Sequence, residues 1–354
     1  MTGRFERGVL FAAGGLIVGL VGLAVIDPPR PETAAPQAVL GQPKATAAET
    51  ATATAPLPAG FMRIKAIGTA AESLIGGVDV RALNRGHRAV DLHTATALDQ
   101  TFDRMGYNLD TVKTGATEVP RLFLATLPSD MHKVRETKLR KTIFFKTVLP
   151  LVLQVNEEIL TDRRRLWELT VRHKKGERLA AVDKLWLIVL AERYRVKRGN
   201  LAELIRRVDI IPPSLALAQA AEESGWGTSR FSKEANAIFG EWTFSGAEGL
   251  VPKAREAGKT HRIRAFKSLL HSVRAYSRNL NTHRAYRGYR KMRQQMRRQG
   301  DPLEGKRLVD TLTSYSERGD EYVKGLRAIM VVNKLSALDD ARLGKSVSDT
   351  RPLI

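Results

Sequence analysis

The sequence predicts an α+β, mainly α protein in which long helical stretches are joined by one small irregular or β lobe. Two observations predict it. From Phe61 to about Gly199, and again from Ser268 to Asn333, apolar residues recur at three- and four-residue spacing, the period of a helix that buries one face. Between these stretches, Ile238 to His261 carries four glycines and few periodic apolar residues, which reads as loop and short hairpin.

The elements follow in order. Thr142 to Leu160 is strongly apolar and is interrupted by Pro150, a residue that removes a helical donor. Leu160–Arg172, Leu179–Lys197 and Leu201–Val208 continue the helical period. Within them, Val182 to Tyr194 reads as a buried helix with Trp186 in the core. Pro212-Pro213-Ser214 opens a helix running from about Pro213 to Ser224, because proline suits a first turn. Gly225 and Gly227 end it. Shorter helices are expected at Arg230–Ala237, Ser268–Asn281, Ala285–Gln299, Val309–Tyr315 and Glu321–Asn333, and the chain should fray after about Asp339. This gives a helical region over 60–200, a second domain over 201–338 and a frayed tail over 339–354.

The N-terminus has a different character. Gly8 to Ile26 is an uninterrupted apolar run, just long enough to cross a bilayer. Arg4 and Arg7 precede it and Asp27-Pro28 follow, so residues 1–7 are expected in the cytoplasm and the rest outside. A cleaved signal peptide is the alternative, although Leu-Ala-Val-Ile-Asp-Pro is a poor cleavage site. Residues 27–59 are rich in Pro, Ala and Thr and read as a disordered tether. The expected location is the periplasm, anchored to the inner membrane, or soluble there after cleavage.

The 354 residues carry 58 Lys and Arg against 37 Asp and Glu, a formal charge of +21. Such an excess fits an anionic polymer. Outside the inner membrane that polymer is wall or lipid, and no nucleic-acid partner is expected. The segment Arg284 to Arg298 interleaves basic and aromatic residues and reads as a phosphate track, an envelope contact or a solvated helix face. With no cysteine, disulfides and thiolate metal sites are excluded. His261, His271 and His283 have no carboxylates at ligand spacing, so neither metal nor cofactor is expected.

The chemistry concentrates in Ala218-Gln-Ala-Ala-Glu-Glu-Ser-Gly-Trp-Gly-Thr-Ser-Arg230. Acidic side chains lie near the end of an alanine-rich helix, beside an aromatic ring. A carboxyl in apolar surroundings keeps its proton near neutral pH, as a glycosidase acid must. Glu222 and Glu223 diverge by about 100° on a helix, and periodicity does not choose between them. Glu241, Glu248 and Glu256 in the glycine-rich lobe are candidates for a second carboxylate. Trp226, Trp242, Tyr276 and Tyr286 are candidates for sugar contact, since aromatic faces cover the apolar face of a pyranose. Gln219 lies near both glutamates, and Phe239 reads as a core anchor.

That motif, followed by Ser-Arg-Phe and Glu234-Ala-Asn-Ala-Ile-Phe-Gly240, resembles the catalytic core of the glucosaminidases of glycoside hydrolase family 73, most closely its Bax-like members. Gly249-Leu-Val-Pro-Lys253, Arg274-Ala-Tyr-Ser-Arg-Asn-Leu-Asn-Thr-His283, Val119-Pro-Arg-Leu-Phe-Leu124 and Lys146 to Leu160 are similar to the same group. The likeness covers roughly residues 115–335. It implies a lysozyme-like catalytic domain in which the small lobe and the helices face each other across a sugar groove. It also implies that the general acid is Glu223, that Asn236 and Tyr286 lie at the groove, and that the β-1,4 bond between N-acetylglucosamine and the next sugar of peptidoglycan is cleaved. Many relatives carry an acidic residue just before the position of Phe266. Thr260 to Phe266 has no carboxylate here, which leaves the base open. A catalytically weak wall-binding protein of the same fold is the alternative reading.

Overall fold

The structure is a computed structural model that describes residues 94–243, 249–250 and 262–345. The expected anchor over 8–26, the tether over 27–59 and the candidates Glu248 and Glu256 lie outside the described residues. Among the described residues no helix is long and apolar enough to cross a membrane. The described part is 64% helical and 2% strand, a mainly α domain.

The helices are α1 (Ala95–Arg104), α2 (Leu109–Lys113), α3 (Thr137–Lys174), α4 (Ala181–Arg193), α5 (Leu201–Arg207), α6 (Pro213–Ser224) and α7 (Arg230–Ala235), followed by α8 (Leu269–Thr282), α9 (Arg287–Gln299), α10 (Gly305–Leu308) and α11 (Asp320–Val332). Between α7 and α8, β1 (Trp242–Thr243) pairs antiparallel with β2 (Arg262–Ile263), with Trp242 opposite Ile263. One apolar core runs from Ala95 to Leu343.

Helix α6 is the centre. It packs against α3, α10, α11 and the 3-10 turn Leu335–Leu338, and every residue from Pro213 to Ala221 is buried. Such a helix has no polar face, and its alanines let neighbours approach closely. Gly305 in α10 comes so near that a Cβ there would lie 2.3 Å from Ser214 Oγ and 2.9 Å from the Leu215 nitrogen. The start of α6 is held by Asp339, whose carboxylate accepts from Ser214 N and Ser214 Oγ, both at 2.8 Å, and from Gly305 N at 3.0 Å. Burial pushes this carboxyl up to about 6 despite those donors. Its other end stops at Gly225, whose left-handed φ of 56° closes the helix.

Several elements differ from the sequence expectation. Pro150 does not interrupt α3, which runs unbroken for 38 residues. The turn around Pro150 is buried on all sides, and tertiary packing there outweighs the one lost hydrogen bond. Helix α4 is not a buried helix: only Leu190 and Ala191 are buried, while Val182 and Leu185 are 65% and 61% exposed. Trp186 packs at the core's margin with the Arg165 guanidinium 4.6 Å above its ring. The basic segment Arg284–Arg298 is only partly a surface track. Arg290 and Arg293 are among the most deeply buried side chains, and Arg297 forks onto buried Asp209 at 3.0 and 3.2 Å. Arg293 donates to the carbonyls of Asp209, Ile210 and Arg206, so these cations tie α9 to the end of α5. The chain also stays packed past Asp339. Val119 N donates to Arg342 O at 2.8 Å, Gly344 N donates to Val119 O at 2.9 Å, and Leu343 is buried.

The turn after α6 holds three successive positive φ angles at Gly225, Trp226 and Gly227. At Gly227, φ is 78° and a Cβ would lie 2.8 Å from Leu127 Cδ1 and 3.2 Å from Phe144 Cδ2. Gly227→Ala should therefore lower unfolding stability by about 1–3 kcal/mol, combining left-handed strain with overpacking. Urea midpoints of the two proteins measure it, and an unchanged midpoint would contradict this account of the turn.

Candidate active site

Glu223 stands in the last turn of α6, half-buried, with its neighbours on that helix sealed inside the core. Three buried side chains form a single hydrogen-bonded line to it. Tyr276 Oη donates to Gln219 Oε1 at 2.7 Å, Gln219 Nε2 donates to Tyr322 Oη at 3.1 Å, and Tyr322 Oη donates to Glu223 Oε1 at 2.9 Å. Gln219 reaches both phenols because it lies one helical turn before Glu223 on the same face. Burial pushes the Tyr276 and Tyr322 phenols well above the ordinary tyrosine range, so both remain neutral donors.

The line has a direction, and it distinguishes the two carboxyl oxygens. Oε1 already accepts from Tyr322. The acid proton therefore belongs on Oε2, which faces Gly240, where a Cβ would lie 3.5 Å away. Burial raises the Glu223 pKa to about 7. The Tyr322 bond opposes that rise, the Glu222 charge adds to it, and Arg318 opposes it weakly. The group can thus hold a proton near neutrality and release it to an acceptor beside Oε2.

Glu222 points elsewhere. Arg318 binds its Oε1 at 2.8 Å, on a side chain that is partly exposed. The adjacent glutamates therefore have separate surroundings: one is neutralised by a guanidinium, the other is held by a phenol.

Aromatic rings wall the acid. Tyr322 stacks on Tyr315 at 5.4 Å with 3° between planes, and Tyr315 leans on Tyr286 at 5.7 Å. Phe239 stacks on Tyr276 at 3.8 Å. Burial raises the phenols of Tyr286 and Tyr315, and the charges of Glu223 and Glu241 add to that rise. Glu241 is itself raised by burial, against the pull of Arg264, Arg278 and Arg195. Its Oε2 is buried without a hydrogen bond and lies 3.6 Å from Arg264 Nη1.

The remaining sequence candidates fall in different places. Asn236 adopts a left-handed φ of 52°, donates to Phe266 O at 3.1 Å, and keeps a buried Oδ1 without a partner. Trp242 opens β1. Trp226 turns away toward α3. Its ring meets Phe145 and Phe144 edgewise at 5.3 and 6.1 Å, with Lys141 Nζ 4.5 Å above it. Tyr276 and Gln219 are fully buried members of the hydrogen-bonded line rather than open surfaces. Among the described residues no group of three or more His, Asp or Glu could hold a metal ion. The sequence reading missed Tyr315 and Tyr322. They lie about a hundred residues beyond Glu223, Tyr315 in the bend after the 3-10 turn Val309–Leu312 and Tyr322 on α11, and no local spacing signals that they return to it.

Comparison with known proteins adds identity to this geometry. The glucosaminidase family model, described as mannosyl-glycoprotein endo-beta-N-acetylglucosaminidase, matches residues 199–335, the span that holds every residue of the line. No solved structure matches the chain. The chain is 34% identical over 216 residues to Protein bax of Escherichia coli (strain K12), a match covering 59% of this chain and 75% of that protein. With a glucosaminidase domain in place and this relative spanned over most of its length, the chain belongs to the Bax-like glucosaminidase-domain proteins.

Proposed function

We propose that the protein is a peptidoglycan hydrolase with a lysozyme-like catalytic domain, cleaving the β-1,4 bond between N-acetylglucosamine and the adjacent sugar. The observation that carries this reading is the buried carboxyl of Glu223, raised to about 7 and, among the described residues, hydrogen-bonded through Oε1. Oε2 protonates the glycosidic oxygen as the C1–O bond breaks. Positive charge develops at the anomeric carbon, and water then adds there and returns a proton to the carboxylate pair. Glu241 supplies the second carboxylate, a role supported by its buried Oε2, which has no hydrogen bond among the described residues. Tyr286 and Asn236 offer a ring and an unpartnered amide oxygen to the sugar. Tyr322 keeps Glu223 from drifting as its charge changes.

Glu223→Gln tests this with two readouts of opposite sign. The amide retains the acceptor for Tyr322 but carries no acid proton, so hydrolysis of purified wall should fall by about 10²–10⁴, whereas Glu222→Gln should stay near wild type. Wild-type rate should decline above pH 7 as the acid ionises. In the variant, stability should move opposite to activity. The Glu223 pKa is about 4.5 unfolded and about 7 folded, so wild-type stability is lost as pH rises between those values. Gln lacks that loss. The variant should equal wild type near pH 4 and exceed it at pH 8 by on the order of 1–3 kcal/mol. Near-full activity in Glu223→Gln, or a variant less stable than wild type at pH 8, would overturn the assignment.

We also propose the periplasm as its location, from the basic flank and apolar run at the N-terminus. A reporter active only outside the cytoplasm, fused after Ile354, should score positive. A reporter active only in the cytoplasm, positive at the same position, would refute the topology.

A further inference from the structure

A cavity of about 760 Å³ lies behind the catalytic turn, between α2, the start of α3 and the end of α11. Its lining carries five lysines against two aspartates. Two lysines are already paired, Lys113 with Asp110 at 3.2 Å and Lys146 with Asp103 at 3.4 Å. Lys138, Lys141 and Lys334 have no ion pair among the described residues, so three positive charges converge on one concave, partly apolar space. Like charges brought together cost free energy unless an anion answers them. Lys334 adds a second sign. It holds a left-handed φ of 53°, a strained conformation of the kind that gathers at ligand sites.

The cavity is joined to the catalytic turn. Lys141 and Phe145 line it, and both touch the Trp226 ring, three residues from Glu223. The far rim, Val332 to Lys334, lies at the end of α11, which carries Tyr322 in its first turn. Ten residues of helix put that rim about 15 Å from the Tyr322 backbone. An extended peptide of four or five residues spans about 13–18 Å.

We propose that this cavity binds a carboxylate of the peptide branch carried by the glycan strand, while the strand itself lies at Glu223. The lysines would read the charge, and the Phe145 wall would cover the aliphatic part of the peptide. The identity of the ligand rests on the wall-hydrolase reading; the anion site does not. Trp226 then connects the two sites, its ring held between Lys141 and the α3 phenylalanines.

Calorimetry on the full chain tests the site without using catalysis. The probes are a synthetic stem-type tetrapeptide with free carboxylates, the same peptide with every carboxylate amidated, acetate and inorganic phosphate. The free peptide should bind at least about tenfold tighter than its amide, about 1.4 kcal/mol. Lys138→Glu combined with Lys334→Glu, two exposed positions, should lose that margin, as should Lys141→Met, whereas Glu223→Gln should bind like wild type. The double variant should still cleave peptide-free N-acetylglucosamine oligomers within about twofold of wild type while losing its preference for peptide-bearing strands. If the peptide and its amide bind alike, if acetate or phosphate matches the peptide, or if the double variant binds unchanged, the proposal falls. If wild type cleaves no glycan yet the binding pattern holds, the hydrolase reading falls and the carboxylate site stands.

Discussion

The structure depends on burying one helix all round. Helix α6 has no residue from Pro213 to Ala221 that meets solvent, so the whole domain is arranged to cover it, with α3, α10 and α11 packed against it. Everything polar on this helix must then find a protein partner. Ser214 finds Asp339 and Gln219 finds two tyrosines. The last turn carries Glu223 into the same environment, where the Tyr322 phenol donates to it. The acid is thus a consequence of the packing, because a carboxyl at the end of a fully covered helix cannot ionise at its ordinary pH.

The arrangement trades stability for that proton. Burial of Glu223 opposes folding at neutral pH, and the turn beside it holds Trp226 at a φ of 60°, a conformation rare for so bulky a residue. Both costs fall within four residues of the acid, a coincidence of burial and backbone strain of the kind expected at a functional site.

The limits of α6 were legible in the sequence because Pro213 and Gly225 are local signals with backbone causes. The glycines between Ile238 and His261 likewise marked the break between helices, where among the described residues Trp242–Thr243 pairs with Arg262–Ile263. The choice between Glu222 and Glu223 was not legible from spacing. What separates their surroundings is Arg318 beside Glu222 and Tyr322 beside Glu223, both distant in the chain and brought to the pair only by folding. The basic helix α9 misled for the same reason, since its buried arginines answer Asp209 and the carbonyls at the end of α5. Pro150 misled because helix propensity is a local quantity and the packing around α3 is not. What a sequence shows of such a site is which residues are unusual. Which of them meet is decided by long-range contacts.

The central claim is that burial holds Glu223 protonated near neutrality against the opposing pull of the Tyr322 phenol. Titration of its side-chain carboxyl carbon by NMR, with Glu223→Gln used to assign the signal, tests that claim directly. The account predicts an apparent pKa near 7 in the folded protein, and a further rise in Tyr322→Phe, where the donor to Oε1 is gone. A carboxyl that titrates between about 4 and 5, as an ordinary exposed glutamate does, would contradict it.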